Sequence, residues 1–110
     1  MKLDLIEFPA DDLGRAVRFW EGLLGVSLDE RTADEGSGRQ THSDGTAVGV
    51  HERGAGPGDR FSLAYFAVDD LPAAVERVVE LGGSVVHPGG RWAICRDSEG
   101  TPFALSAKSV

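Results

Sequence analysis

Glu7 is the residue whose type and setting first point to chemistry. Leu3, Leu5 and Glu7 alternate with Asp4, Ile6 and Phe8, the period of a β-strand, so Glu7 shares a strand face with two leucines. A carboxylate among apolar neighbours is partly shielded from water. It can serve as a general base, or accept a hydrogen bond from a polar or cationic ligand. It can equally be a structural acceptor for a backbone N–H, or for an arginine of a neighbouring strand or subunit. Tyr65 offers a phenol that can stack on or hydrogen-bond a ligand, although half-buried tyrosines are common in cores. Trp92 follows the Pro88-Gly89-Gly90 turn, where an indole suits a planar ligand. His51 leads into Glu52-Arg53-Gly54 and reads as solvated at a strand end, while His42 and His87 lie near loops and read the same way. Cys95, inside a strand pattern, reads as a small apolar group rather than a nucleophile.

Several other chemistries find little support. Asp11-Asp12 and Asp69-Asp70 resemble paired catalytic acids, but each pair stands just before a helical pattern and suits a helix cap. Gly54-Ala55-Gly56-Pro57-Gly58 precedes a strand rather than a helix, and Pro57 lacks a donor that a phosphate cradle would use, so it reads as a linker. No Ser-His-Asp order with elbow glycines is visible. The chain of 110 residues carries 11 Lys+Arg against 18 Asp+Glu, a formal charge of −7. That balance argues against nucleic acid, whose phosphates need basic surface, and leaves room for a neutral or cationic ligand. The longest apolar run, Leu63 to Val68, is far short of a membrane span, and the start lacks a signal-peptide pattern. One cysteine excludes an internal disulfide and fits a reducing cytoplasm.

The elements that must position these residues come from an internal repeat. Between positions 5–25 and 63–83, nine of 21 residues are identical, where average composition gives roughly one or two. Among them are Phe8 with Phe66, Asp11-Asp12-Leu13 with Asp69-Asp70-Leu71, and Ala16-Val17 with Ala74-Val75. The match resumes with Gly45-Thr46 on Gly100-Thr101, after a longer loop in the first copy within Asp34 to Gly38. Each half predicts a strand, a helix and three strands. The first helix carries its apolar stripe on Leu13, Ala16, Val17, Trp20, Leu23 and Leu24, closed by Gly25. The second uses Leu71, Ala74, Val75, Val78 and Leu81, with Pro72 in its first turn and Gly82-Gly83 closing. Strands are expected over Val26 to Arg31, Arg39 to Ser43 and Thr46 to Glu52, then Ser84 to His87, Trp92 to Arg96 and Pro102 to Ala107. The expected organisation is one domain over 1–110, with a first module 3–51, a linker 52–60 and a second module 61–107.

A duplicated βαβββ unit of this length resembles the vicinal oxygen chelate superfamily, which holds glyoxalase I, bleomycin-resistance proteins, fosfomycin-resistance enzymes and extradiol dioxygenases. Glu7-Phe8-Pro9-Ala10-Asp11-Asp12-Leu13 and the closing Asp97-Ser98-Glu99-Gly100-Thr101-Pro102-Phe103-Ala104-Leu105 carry the resemblance. It implies an α+β fold with curled sheets around a cleft and helices outside. Ile6, Phe8, Phe66, Val68, Phe103 and Leu105 then face the helices. Leu3, Leu5, Glu7, Phe61, Leu63 and Tyr65 face the cleft, with Gly49, His51, Ala104 and Ser106. The resemblance also implies a homodimer.

Metal-dependent members of that superfamily bind a divalent cation through His and Glu on the first and last strands of each half. The matching positions here are Leu5, Gly49, Leu63 and Ala104, none of which can donate a lone pair. No metal or other cofactor is therefore expected, unless a two-residue slip brings Glu7 and His51 into play. Three functions follow as expectations. The first is a metal-free cleft that binds or sequesters a small molecule, cationic or aromatic, with Leu5, Glu7, Gly49, His51, Leu63, Tyr65, Trp92 and Ala104 as its lining. The second is a metal-independent isomerase or lyase with Glu7 as the base. The third is a metal-dependent lyase or dioxygenase with displaced ligands.

Overall fold

The alternation at the start of the chain forms β1 (Lys2–Ala10), and Asp12 then turns the chain into α1 (Leu13–Leu24). The Asp12 carboxylate accepts from the Arg15 backbone N–H at 3.0 Å, and Gly25 closes the helix in the left-handed conformation, at φ 67°. Short strands β2 (Asp29–Glu30) and β3 (Arg39–Gln40) follow, then β4 (Ala47–Glu52). The computed structural model describes residues 1–56 and 58–107, so Pro57 of the expected linker lies outside the described residues. In this first half the strand order is β2-β3-β4-β1, with β1 and β4 parallel and the other pairs antiparallel.

The second half repeats the plan with β5 (Leu63–Val68), α2 (Leu71–Glu80), β6 (Ser84–Pro88), β7 (Trp92–Arg96) and β8 (Pro102–Ala107). Its order is β5-β8-β7-β6, again with one parallel pair, β5 and β8. Asp70 caps α2 as Asp12 caps α1, accepting from the Ala73 N–H at 3.0 Å, and Pro72 sits in the first turn, where its missing N–H costs nothing. The α+β class and the duplicated βαβββ order expected from the sequence are both present. The described chain divides into two compact units, Leu5–Ser62 and Met1–Asp4 together with the chain from Leu63 onward.

Each unit has its own core between helix and sheet. In the first, Ala10, Leu28 and Val50 are buried against Leu13, Ala16, Val17 and Trp20, and Phe8 stacks on Trp20 with ring centroids 4.4 Å apart. In the second, Val68, Leu71, Ala93, Cys95 and Leu105 are buried with Phe66, Ala74, Val75, Val78 and Phe103 around them. Even-numbered residues of β1 thus face the helix, which leaves Leu5 and Glu7 on the opposite face.

Four local expectations are corrected. Only Asp29–Glu30 and Arg39–Gln40 pair as strands within the longer stretches anticipated, because Leu28 turns into the core and gives its N–H to the Glu21 carboxylate at 2.8 Å. The supposed loop at Asp34 to Gly38 begins as a 3-10 turn, Ala33–Glu35, which is tied by the Glu35 carboxylate to the Thr32 N–H at 2.8 Å. Leu23, Leu24 and Leu81 are exposed, since the last turn of each helix runs past the residues that pack on the sheet. Phe61 lies ahead of β5 and is exposed, so it does not share the face of Leu63 and Tyr65.

Candidate functional site in the first half

Parallel pairing of β1 with β4 sets Glu7 opposite Gly49, and the pleat puts both on the sheet face away from α1. His51, two residues along β4, shares that face. Into this setting the chain brings a residue that the sequence reading did not single out. Arg31, just after β2, extends its guanidinium over the strand pair. Its Nη1 donates to Glu7 Oε1 at 2.9 Å and to the Ser37 carbonyl at 2.8 Å. The Arg31 side chain is only 4% exposed and that of Glu7 only 9%.

Two glycines make the arrangement possible. A Cβ at Gly49 would collide with Arg31 Nη2 and would crowd Leu5 Cδ1, so a side chain there is incompatible with the guanidinium. Gly38 has φ 107°, and a Cβ on it would run into the Val50 carbonyl. The turn carrying Ser37 can therefore lie close on β4 and present its carbonyl to Arg31.

The remaining guanidinium donors are the point of interest. Arg31 Nε and Nη2 are buried, with no hydrogen-bond partner among the described residues. Leaving a buried donor unsatisfied costs about 1–3 kcal/mol, and more when the group is charged. Beside them, His51 Nδ1 lies 2.7 Å from the Glu52 carbonyl. A carbonyl only accepts, so Nδ1 carries the proton. The other ring nitrogen, Nε2, lies 3.9 Å from Glu7 Oε1. His51 is thus turned towards the ion pair, with its side chain only 12% exposed, rather than solvated at a strand end.

The residues present do not suit a metal at the family position. Leu5 and Gly49 have no donor atoms, and a guanidinium lies against Gly49. Among the described residues no group of three or more His, Cys, Asp and Glu comes together. The positive charge facing Glu7 belongs to the chain itself. Arg31 already supplies a cation to Glu7 Oε1, so a cationic ligand at that oxygen would have to compete with it.

The other expected lining residues lie in the second unit. Leu63, Ile94 and Ala104 are buried together with Tyr65 packed against them, so an apolar cluster stands at the matching positions there. Trp92 is 41% exposed on β7, opposite Ser106. His42 is engaged rather than solvated, its Nε2 lying 2.9 Å from Glu35 Oε1. Burial works against the charged Glu35 carboxylate, but the bonds from His42 and the Thr32 backbone outweigh it and hold the group below its ordinary pKa.

Fold and site together define a small duplicated α+β module with a buried arginine–glutamate pair on one sheet face. The chain belongs to the glyoxalase-like domain family, whose model matches residues 5–106. It is 36% identical over 111 residues to the anthracycline biosynthesis protein DauV of Streptomyces sp. (strain C5), covering 91% of this chain and 39% of that protein. The chain therefore spans about two fifths of the length of this relative. Among solved structures, a hypothetical protein from Bacillus halodurans C-125 superposes with a TM-score of 0.73 at 16% identity, covering 99% of this chain and 95% of that one. A Streptomyces coelicolor methylmalonyl-CoA epimerase in complex with 2-nitronate-propionyl-CoA gives 0.67 at 17% identity, covering 100% and 99%. At such identities these likenesses concern the fold. No helix among the described residues is long and apolar enough to cross a membrane.

Proposed function

We propose that this chain is a small-molecule-binding module of the glyoxalase-like family whose first half works without a metal, with Arg31 and Glu7 as its polar centre. The observation that carries the reading is the Arg31 guanidinium lying against Gly49 and paired with Glu7. A cation of the chain itself thus stands on the face where metal-dependent members of the superfamily hold theirs. The name of the Streptomyces relative, which places that protein in anthracycline biosynthesis, supports a role in handling a small organic molecule. Binding is favoured over base catalysis because Glu7 Oε1 is already held by Arg31, and protonating it would disrupt a buried pair. The proposal includes a cytoplasmic homodimer, which light scattering would find as a dimer mass at micromolar concentration.

The central test is metal titration. Ni²⁺, Zn²⁺, Mn²⁺ and Fe²⁺ should leave the melting temperature unchanged. A metal bound only by the folded state at 100 times its dissociation constant would add about 2.7 kcal/mol, which a thermal scan reads easily. Stoichiometric metal surviving dialysis, and lost in Glu7→Ala or His51→Ala, would overturn the metal-free reading. Native mass spectrometry of the unheated protein should instead show a co-purified organic compound.

A further inference from the structure

Arg31 has donors left over. Its Nη1 serves Glu7 and Ser37, whereas Nε and Nη2, which form the other edge of the planar guanidinium, have no acceptor among the described residues. Those two N–H groups point the same way and match the spacing of two coplanar oxygens. Glu7 and the Ser37 turn hold the group from its opposite side. Gly49 lies against Nη2 and has no side-chain acceptor to offer it. We infer that the Nε–Nη2 edge of Arg31 is a fork for a carboxylate, which would be the anchoring group of the small molecule this half binds. The inference rests on the small-molecule reading above and names the chemistry of the ligand.

Charge does not stand against it. The chain carries −7 overall, but exposed charges farther off than a Debye length of about 8 Å at physiological salt are largely screened. Within the ion pair itself the charges of Arg31 and Glu7 cancel. A neutral amide brings a single acceptor oxygen and would satisfy one N–H at best. A phosphate monoester would bring about two negative charges against one cation already shared with Glu7. A carboxylate supplies two acceptors and one charge.

The test uses benzoate as the probe, with benzamide and benzylamine as isosteric controls, on isotope-labelled full chain. The Arg31 Nε–H signal, assigned through its bonds and by its loss in Arg31→Lys, reports the fork directly. Benzoate should move that signal saturably, benzamide should bind about tenfold more weakly or worse, and benzylamine should leave it in place. Arg31→Lys should weaken benzoate by about tenfold or more, since a point charge cannot offer the paired donors. If Arg31→Lys does not fold, the wild-type comparison of benzoate with benzamide decides. An unmoved signal, or equal response to benzoate and benzamide, overturns the fork. If that happens while a co-purified compound is still found, the fork falls and the small-molecule reading stands. Tight stoichiometric metal would remove the reading and the fork with it.

Discussion

Glu7 and Arg31 each depend on the other because both are out of water. Removing Arg31 alone leaves a buried carboxylate without its counter-charge, and breaking such a pair typically costs about 3–5 kcal/mol. Urea denaturation of Arg31→Ala should show a loss of that size. The double variant Glu7→Gln with Arg31→Met removes both charges while keeping the volume, and it should recover a large part of the loss. Equal losses in the single and double variants would mean that packing, rather than the unpaired charge, sets the cost. The same dependence separates Glu7 from a free base. Its carboxylate holds the Arg31 guanidinium in place.

At the scale of elements, the two helices start the same way for the same reason. Asp12 and Asp70 each accept an N–H that the helix itself cannot satisfy. Asp70→Ala should cost about 1 kcal/mol, read as a lower midpoint in denaturant with the slope unchanged. The backbone bond from Arg15 holds the Asp12 carboxyl below its ordinary value of 3.8, and Glu35 is held below 4.5 by His42 and Thr32 despite its burial. A folded-state pKa below the unfolded one adds stability that is complete above the unfolded value. That stability disappears as pH falls through the folded value. The contribution of these two groups should therefore hold down to about pH 5 and fade below about pH 4. A melting-temperature series for Asp12→Asn, which caps as well but does not titrate, should decline less on the acid side than wild type. A parallel decline would assign the acid sensitivity elsewhere.

At the scale of the molecule, Cys95 reports whether the second core opens. It is fully buried on β7, and burial pushes its thiol pKa up. A thiol reagent at neutral pH should leave the native chain unlabelled and should react only across the unfolding transition, since the reactive thiolate is both scarce and covered. Fast labelling without denaturant would show that this core opens locally.

The sequence by itself determined the duplicated βαβββ plan, the helix caps and the face of β1 that carries Glu7. All of these follow from local periodicity, caps and turn residues, which neighbours along the chain decide. It also showed that Leu5, Gly49, Leu63 and Ala104 cannot ligate a metal, because side-chain chemistry needs no coordinates. It could not show that Arg31 completes the site. Arg31 lies 24 residues from Glu7 in the chain, in a segment where only two residues pair as a strand and a 3-10 turn follows. The bare Gly49 on the Glu7 face was the one available sign that something large lies over it. Which side chain reached that space was decided by tertiary packing, because the β1–β4 register and the close approach of Gly38 to β4 steer the Arg31 guanidinium onto Glu7.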